Sequence, residues 1–215
     1  MRADRVPMLL SASRLALAPC FAAAVVALGR AGDRAAGPLA LVPLAIAVVA
    51  AATDWIDGRL ARKLGVVSSR GAGLDVAGDA AFVLCGLSAL AATGAIVVAL
   101  PAAAALALAA FALARRSGAP ATREEAASAR RGPARSPADA LGHAAGVLNY
   151  AIVIAGAALP LVPAAASWVR ASSVLVALLN LSPIAIRTAR ARSAARAAQS
   201  TRGSASSDRP PRDRA

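Results

Sequence analysis

LALVPLAIAVVAAATDWIDGRLARKLGVVSSRGAGLDVAGDAAFVLCGLSALAAT, residues 39–93, decides how the chain is read. Two apolar runs, about 37–56 and 74–93, flank a polar connector. Each approaches the roughly 20 apolar residues that a helix needs to cross a bilayer. Acids stand where the apolar runs meet the connector: Asp54 and Asp57 at the end of the first, Asp75 and Asp79 at the start of the second. Helix positions three, four, seven and eight apart share a face. Asp54, Asp57, Gly58, Ala61 and Arg62 are spaced in that way, and Asp79 follows Asp75 by four positions. Two helices joined by a short link are expected to be neighbours, which brings four carboxylates into one small volume.

Working outward, four further apolar stretches occur at about 8–29, 95–114, 140–160 and 170–188. Of the 215 residues, 58% are hydrophobic and 16% charged, with a mean hydropathy of +0.61. A soluble domain is about one quarter charged. The expected fold is therefore an all-α membrane protein, a bundle of six transmembrane helices. Residues 1–198 form its membrane domain, and the basic segment 199–215, with its Ser, Pro, Arg and Asp, has the composition of a disordered C-terminal tail. Pro19 falls inside the first span, Thr93-Gly94 leaves only a tight turn between the third and fourth, and Trp168 suits an interfacial position near the outer turn.

The formal charge of +13 raises the question of nucleic acid. Every Lys and Arg except Arg30, Arg34 and Arg170 lies on one set of alternate sides of the six spans. That asymmetry is the positive-inside bias, and it places both termini in the cytoplasm. The charge reports topology and gives attraction to anionic headgroups; it builds no soluble basic surface for a nucleic acid. Cys20 and Cys85 sit inside apolar stretches, where a thiol behaves as a small hydrophobe, and their spacing makes neither a disulfide framework nor a zinc site. Arg14 interrupts the first apolar stretch, which favours a retained helix over a cleaved signal peptide.

Four like charges in a partly apolar site repel one another, and intramembrane acids are costly without compensation. Divalent cations with a preference for oxygen remove the conflict: Mg²⁺ or Mn²⁺ takes carboxylates and keeps positions for phosphate oxygens. Two ions roughly 3.5–4 Å apart are a recurring device for phosphoryl chemistry. Gly58 leaves the helix backbone beside Asp57 open to a bulky group, Arg62 offers a planar fork to a phosphate, and Ser68 and Ser69 offer hydroxyls. Arg59, Lys63 and Arg70 read as headgroup anchors. His143, the single histidine, reads as a polar position at the start of the fifth span, and Asn149 and Tyr150 as interhelical contacts.

The run Asp54-Trp-Ile-Asp57-Gly58-Arg-Leu-Ala61-Arg62, then Gly71, Asp75 and Asp79, resembles the signature of the CDP-alcohol phosphatidyltransferase family at every position and spacing. The opening MLLSASR resembles that family's Asn-x-x-Thr-x-x-Arg, with Ser11 for Thr, Arg14 retained and Met8 in place of Asn. The resemblance implies that Asp54, Asp57, Asp75 and Asp79 hold two divalent ions, Mg²⁺ or Mn²⁺, against the diphosphate of CDP-diacylglycerol. It implies that Gly58, Arg62 and Ser68 contact the nucleotide or its phosphates, and that Asp79 takes the proton of the acceptor alcohol. It further implies phospholipid synthesis at the cell's inner (cytoplasmic) membrane by a multi-pass protein with its active site facing the cytoplasm, commonly as a homodimer.

Thr53-Asp54-Trp55-Ile56-Asp57-Gly58 looks most like phosphatidylglycerophosphate synthases, whose acceptor is glycerol 3-phosphate. Those enzymes usually place Pro after the third acid and Lys after the fourth, where this chain has Val76 and Ala80. Their Gly-Lys-x-Lys-Thr stretch appears as Gly142-His143-Ala144-Ala145-Gly146. Glycerol 3-phosphate is the first choice of acceptor; inositol phosphate, serine, phosphatidylglycerol or an uncharged alcohol are its rivals. A cation- or proton-coupled transporter is the alternative of another class, since Asp75 and Asp79 could form a relay. Against it, the acids cluster at one end of two adjacent spans instead of at the midplane of inverted repeats.

Overall fold

Ala and Leu lose little side-chain freedom in a helix and fill most of the apolar runs, so helix is the local outcome throughout. The computed structural model describes the backbone of residues 5–31, 38–64, 69–116 and 137–207. Six α-helices occur among them: α1 Arg5–Ala31, α2 Leu41–Leu64, α3 Ser69–Ala92, α4 Ala99–Arg116, α5 Pro137–Ala158 and α6 Ala166–Ser207. Single 3₁₀ turns, Pro38–Ala40 and Pro163–Ala165, lead into α2 and α6, and no strand occurs among the described residues. Pro43, Pro101 and Pro137 occupy the first turns of α2, α4 and α5, where the missing N–H costs nothing. Pro19 and Pro183 lie within α1 and α6.

The all-helical membrane class is as expected. Among the described residues, three stretches are long and apolar enough to cross a bilayer: Ala12–Ala31, Ala140–Ala158 and Pro163–Ser193. Leu41–Thr53, Val76–Ala92 and Ala99–Leu113 are shorter apolar segments. Helices α2 and α3 have 24 residues each, and the side chains from Asp57 to Asp75 lie outside the described residues. Helix α6 carries helical backbone through Ser207. It thus enters the segment read as a tail, of which 208–215 lie outside the described residues, as does most of the Arg-rich stretch between α4 and α5.

Side-chain contacts fix how the helices run. Arg14 meets Asp79 near the start of α1 and α3, and Gly29 meets Thr93 at their far ends, so the two helices are parallel and in step. Phe82 stacks on Tyr150 with ring centroids 5.6 Å apart, and Leu90 lies over Gly156, which makes α5 parallel to α3. Asn149 pairs with Asn180 and Gly142 lies near Pro183, so α6 runs opposite to α5. Phe21, Phe82 and Tyr150 form a ladder of rings through α1, α3 and α5, the first two with centroids 5.5 Å apart. Around it the buried core comprises Leu87, Leu90, Ile96, Leu100 and Val153.

Among the described residues, α2 packs chiefly on α1 and α5, and α3 on α1, α5 and α4. The facing ends of α2 and α3, where the two helices are expected to meet, lie largely outside the described residues. Helix α1, rich in Ala, lets both approach it closely. Helix α1 therefore contributes to the acidic end of the bundle.

The tight turn after α3 is a Schellman motif. Gly94 has φ +77, its N–H donates to Ala91 O at 3.0 Å, and Ala95 N–H donates to Leu90 O at 3.0 Å. Just beyond it, Val97 N–H donates to the buried Ser173 Oγ of α6 at 3.2 Å, and that hydroxyl donates to Arg170 O at 2.7 Å. The α3–α4 turn is thus tied to α6 by a side chain. Asn149 and Tyr150 make the interhelical contacts anticipated for them. Both cysteines are free, Cys20 on the exposed side of α1 and Cys85 half-buried, and Trp168 is 78% exposed at the start of α6.

Candidate active site

The last turns of α2 carry Asp54, Asp57, Gly58 and Arg62, and the first turns of α3 carry Asp75 and Asp79. The side chains of Asp54, Asp57, Arg62 and Asp75 lie outside the described residues, and Ser68 lies outside them altogether. Thr53, immediately before the first acid, turns its hydroxyl back onto Ala50 O at 2.8 Å. A helix-interior hydroxyl satisfied in this way adds no polar group to the site.

Asp79 is the acid whose surroundings are defined. Its side chain is 37% exposed, and its Oδ1 accepts a hydrogen bond from Nη1 of Arg14, whose own side chain is 0% exposed. Buried Gly78 precedes it, and half-buried Ala80 follows it. One turn further along α3, Phe82 begins the aromatic ladder, so the carboxylate sits at the polar edge of the apolar core. A charge taken from water into such a place requires a counter-charge and hydrogen bonds, and Arg14 supplies both.

The sequence reading does not anticipate the pairing of Arg14: its position in the motif gives no partner, and the structure buries it inside the bundle against Asp79. His143 is exposed in the second turn of α5, as expected of a polar position there. Arg187, half-buried on α6, lies one helical turn beyond Pro183 and so at the same end of the bundle.

An all-oxygen donor set of carboxylates suits Mg²⁺ or Mn²⁺ in kind. Among the described residues no three ligating side chains cluster, because one of the four acids alone falls in that set. Of the four acids, Asp79 is the one whose side chain is described, and it is paired with Arg14.

The profile of the CDP-alcohol phosphatidyltransferase family matches residues 5–179, a span that contains Arg14, all four aspartates and the aromatic ladder. The chain belongs to that family. It is accordingly a membrane transferase of phospholipid biosynthesis, moving a substituted phosphate group from a CDP-alcohol to an acceptor alcohol. Members of the CDP-alcohol phosphatidyltransferase family are generally dependent on divalent metal ions. No curated protein and no solved structure matches the chain significantly.

Proposed function

We propose that the chain transfers the phosphatidyl group of CDP-diacylglycerol to glycerol 3-phosphate, giving phosphatidylglycerophosphate and CMP. The observation that carries the reading is the family match running through the complete Asp54–Asp79 array, together with the closeness of Thr53–Gly58 to phosphatidylglycerophosphate synthases. The unit is residues 1–198, a multi-pass bundle of six spans with both termini and the acidic end on the cytoplasmic face of the cell membrane, assembled as a homodimer.

Asp54, Asp57, Asp75 and Asp79 are the proposed holders of two Mg²⁺ or Mn²⁺ ions. When bound, these supply positive charge to the diphosphate and to the oxygens that enter and leave. Gly58, Arg62 and Ser68 are the proposed contacts of the cytidine nucleotide and its phosphates. Asp79 takes the proton of the acceptor hydroxyl, a role that needs an acid within hydrogen-bond reach of that group. The freed oxygen attacks the phosphorus that carries diacylglycerol, a new P–O bond forms, and the bond to CMP breaks with its electron pair leaving on CMP.

A second reading of the acceptor is favoured by Ala80 and His143. These stand where a phosphorylated acceptor is expected to meet lysines, so an uncharged alcohol or another lipid acceptor competes with glycerol 3-phosphate.

The deciding experiment incubates purified full-length protein with CDP-diacylglycerol, Mg²⁺ or Mn²⁺ and each acceptor in turn, reading CMP release and product mass. CMP and phosphatidylglycerophosphate are expected with glycerol 3-phosphate, and a chelator should abolish both. CMP with a different acceptor alone overturns the assignment of glycerol 3-phosphate. No CMP with any acceptor overturns the enzymatic reading and leaves a transporter or an inactive family member acting as a partner subunit.

A further inference from the structure

Arg14 is the most deeply buried charged side chain among the described residues, and it makes its ion pair with an acid of the reaction site on a different helix. A guanidinium that served only to anchor α1 at the headgroups would extend toward water. This one faces the core along a stripe that continues through Ala18, Phe21 and Val25, all buried, at successive helical turns. The close parallel packing of α1 on α3 fixes both partners: Phe21 meets Phe82 one to two turns past the pair, and Gly29 meets Thr93 at the far end. Neither helix has room to shift without disturbing this register.

We infer that Arg14 is a positioning residue for Asp79, drawing its carboxylate toward α1 and holding it back from full engagement with the divalent ions. This inference rests on the proposed function of the acidic array. An acid used to accept a proton must not be consumed as a full metal ligand. A fixed cation on one of its oxygens supplies that restraint through charge and direction together. The same cation lowers the attraction of the site for a second positive charge, since two charges a few ångströms apart in a bundle interact strongly.

The two effects share a sign, and that makes the inference testable. Full-length protein in detergent or nanodiscs is titrated with Mn²⁺ by electron paramagnetic resonance, without substrate, and CMP release is measured in parallel. Arg14→Gln is expected to bind Mn²⁺ about tenfold more tightly than the wild type, because Asp79 is released to the metal and a cation is removed. Its kcat should fall about tenfold to a hundredfold, with KM for the CDP-lipid within about twofold, as expected of a misplaced catalytic group. Arg14→Lys keeps the charge without the fork; Mn²⁺ affinity near that of the wild type and an intermediate kcat are expected.

A purely structural role predicts the opposite sign for the metal, since a loosened site binds Mn²⁺ more weakly. Unchanged or weaker Mn²⁺ binding by a folded Arg14→Gln protein, or an unchanged kcat, therefore overturns the inference. Should Arg14→Gln fail size-exclusion chromatography, Arg14→Lys decides: wild-type kcat in that variant overturns the inference as well. Wild-type protein that releases no CMP refutes the proposed function instead, so the two failures are distinguishable.

Discussion

Replacing Asn149 and Asn180 by Leu, singly and together, tests how the last two helices are joined. The two amides are 5% and 3% exposed. Asn149 Nδ2 donates to Asn180 Oδ1 at 3.1 Å, and Asn180 Nδ2 donates to Asn149 Oδ1 at 3.0 Å. Side-chain hydrogen bonds between membrane helices average about 0.6 kcal/mol and reach about 1.7 kcal/mol, so the reciprocal pair is worth about 1 to 3 kcal/mol. The pair is also lopsided. Asn180 Nδ2 donates in addition to Val176 O at 2.8 Å, so it keeps a partner when Asn149 is removed. Asn149 has no such reserve, and Asn180→Leu should be the more damaging single change because it strands a whole amide. The double variant should lose about 1 to 2 kcal/mol less than the two single losses combined, since neither amide is then left behind. Reversible unfolding in mixed detergent micelles, analysed as a double-mutant cycle, reads this directly. Losses that add within about 0.5 kcal/mol would show that the amides act independently and that the geometry has been misjudged.

Two further outcomes follow from residues on α3 and α5. Asp79→Asn should abolish CMP release, by at least about a hundredfold, while CDP-diacylglycerol still binds in a filtration or fluorescence assay; full turnover would remove Asp79 from its role as base. Gly156→Ala places a Cβ 2.5 Å from Leu90 Cδ1 and 2.9 Å from Leu90 Cδ2. A thermal melt should show a loss of about 1 to 3 kcal/mol. Leu90→Ala in the same chain should recover part of that loss, and no recovery would place the strain elsewhere.

The spacing of the acids is legible because it does not depend on burial. Asp54, Asp57, Asp75 and Asp79 follow helical spacing in a chain that otherwise excludes acids from its apolar runs, and their proposed grouping rests on that spacing. Six helices were legible for a similar reason, from long apolar runs of Ala and Leu separated by Gly, Pro and Arg. The orientation of each helix was not. A helix that is apolar all round has no hydrophobic face to read, and α1 is of that kind. Nothing in its periodicity separates the inward stripe Arg14, Ala18, Phe21 and Val25 from the outward Leu15 and Cys20.

Arg14 therefore had two readings, a cation reaching for headgroups or one paired inside the bundle, and only the position of α3 decides between them. The same holds for α6, where Val169, Ser173, Val176, Ala177 and Asn180 are the buried positions of a helix apolar on every side through that stretch. The packing of α1 on both α2 and α3 among the described residues was hidden as well. Chain order favours neighbours in sequence, and here the closest partner of α3 is a helix that precedes it by two.

Chain order also gives the Arg14–Asp79 pair a bearing on biogenesis. Sixty-five positions separate the two residues. At about 5–20 residues per second, the first helix emerges from the ribosome about 3 to 13 s before the acid that will neutralise its guanidinium. Arg14 is the third residue of the apolar stretch Ala12–Ala31, close enough to its end for the guanidinium to reach the headgroups while α1 stands alone. Its pairing with Asp79 waits for α3, so a chain arrested before Asp79 emerges lacks that pair.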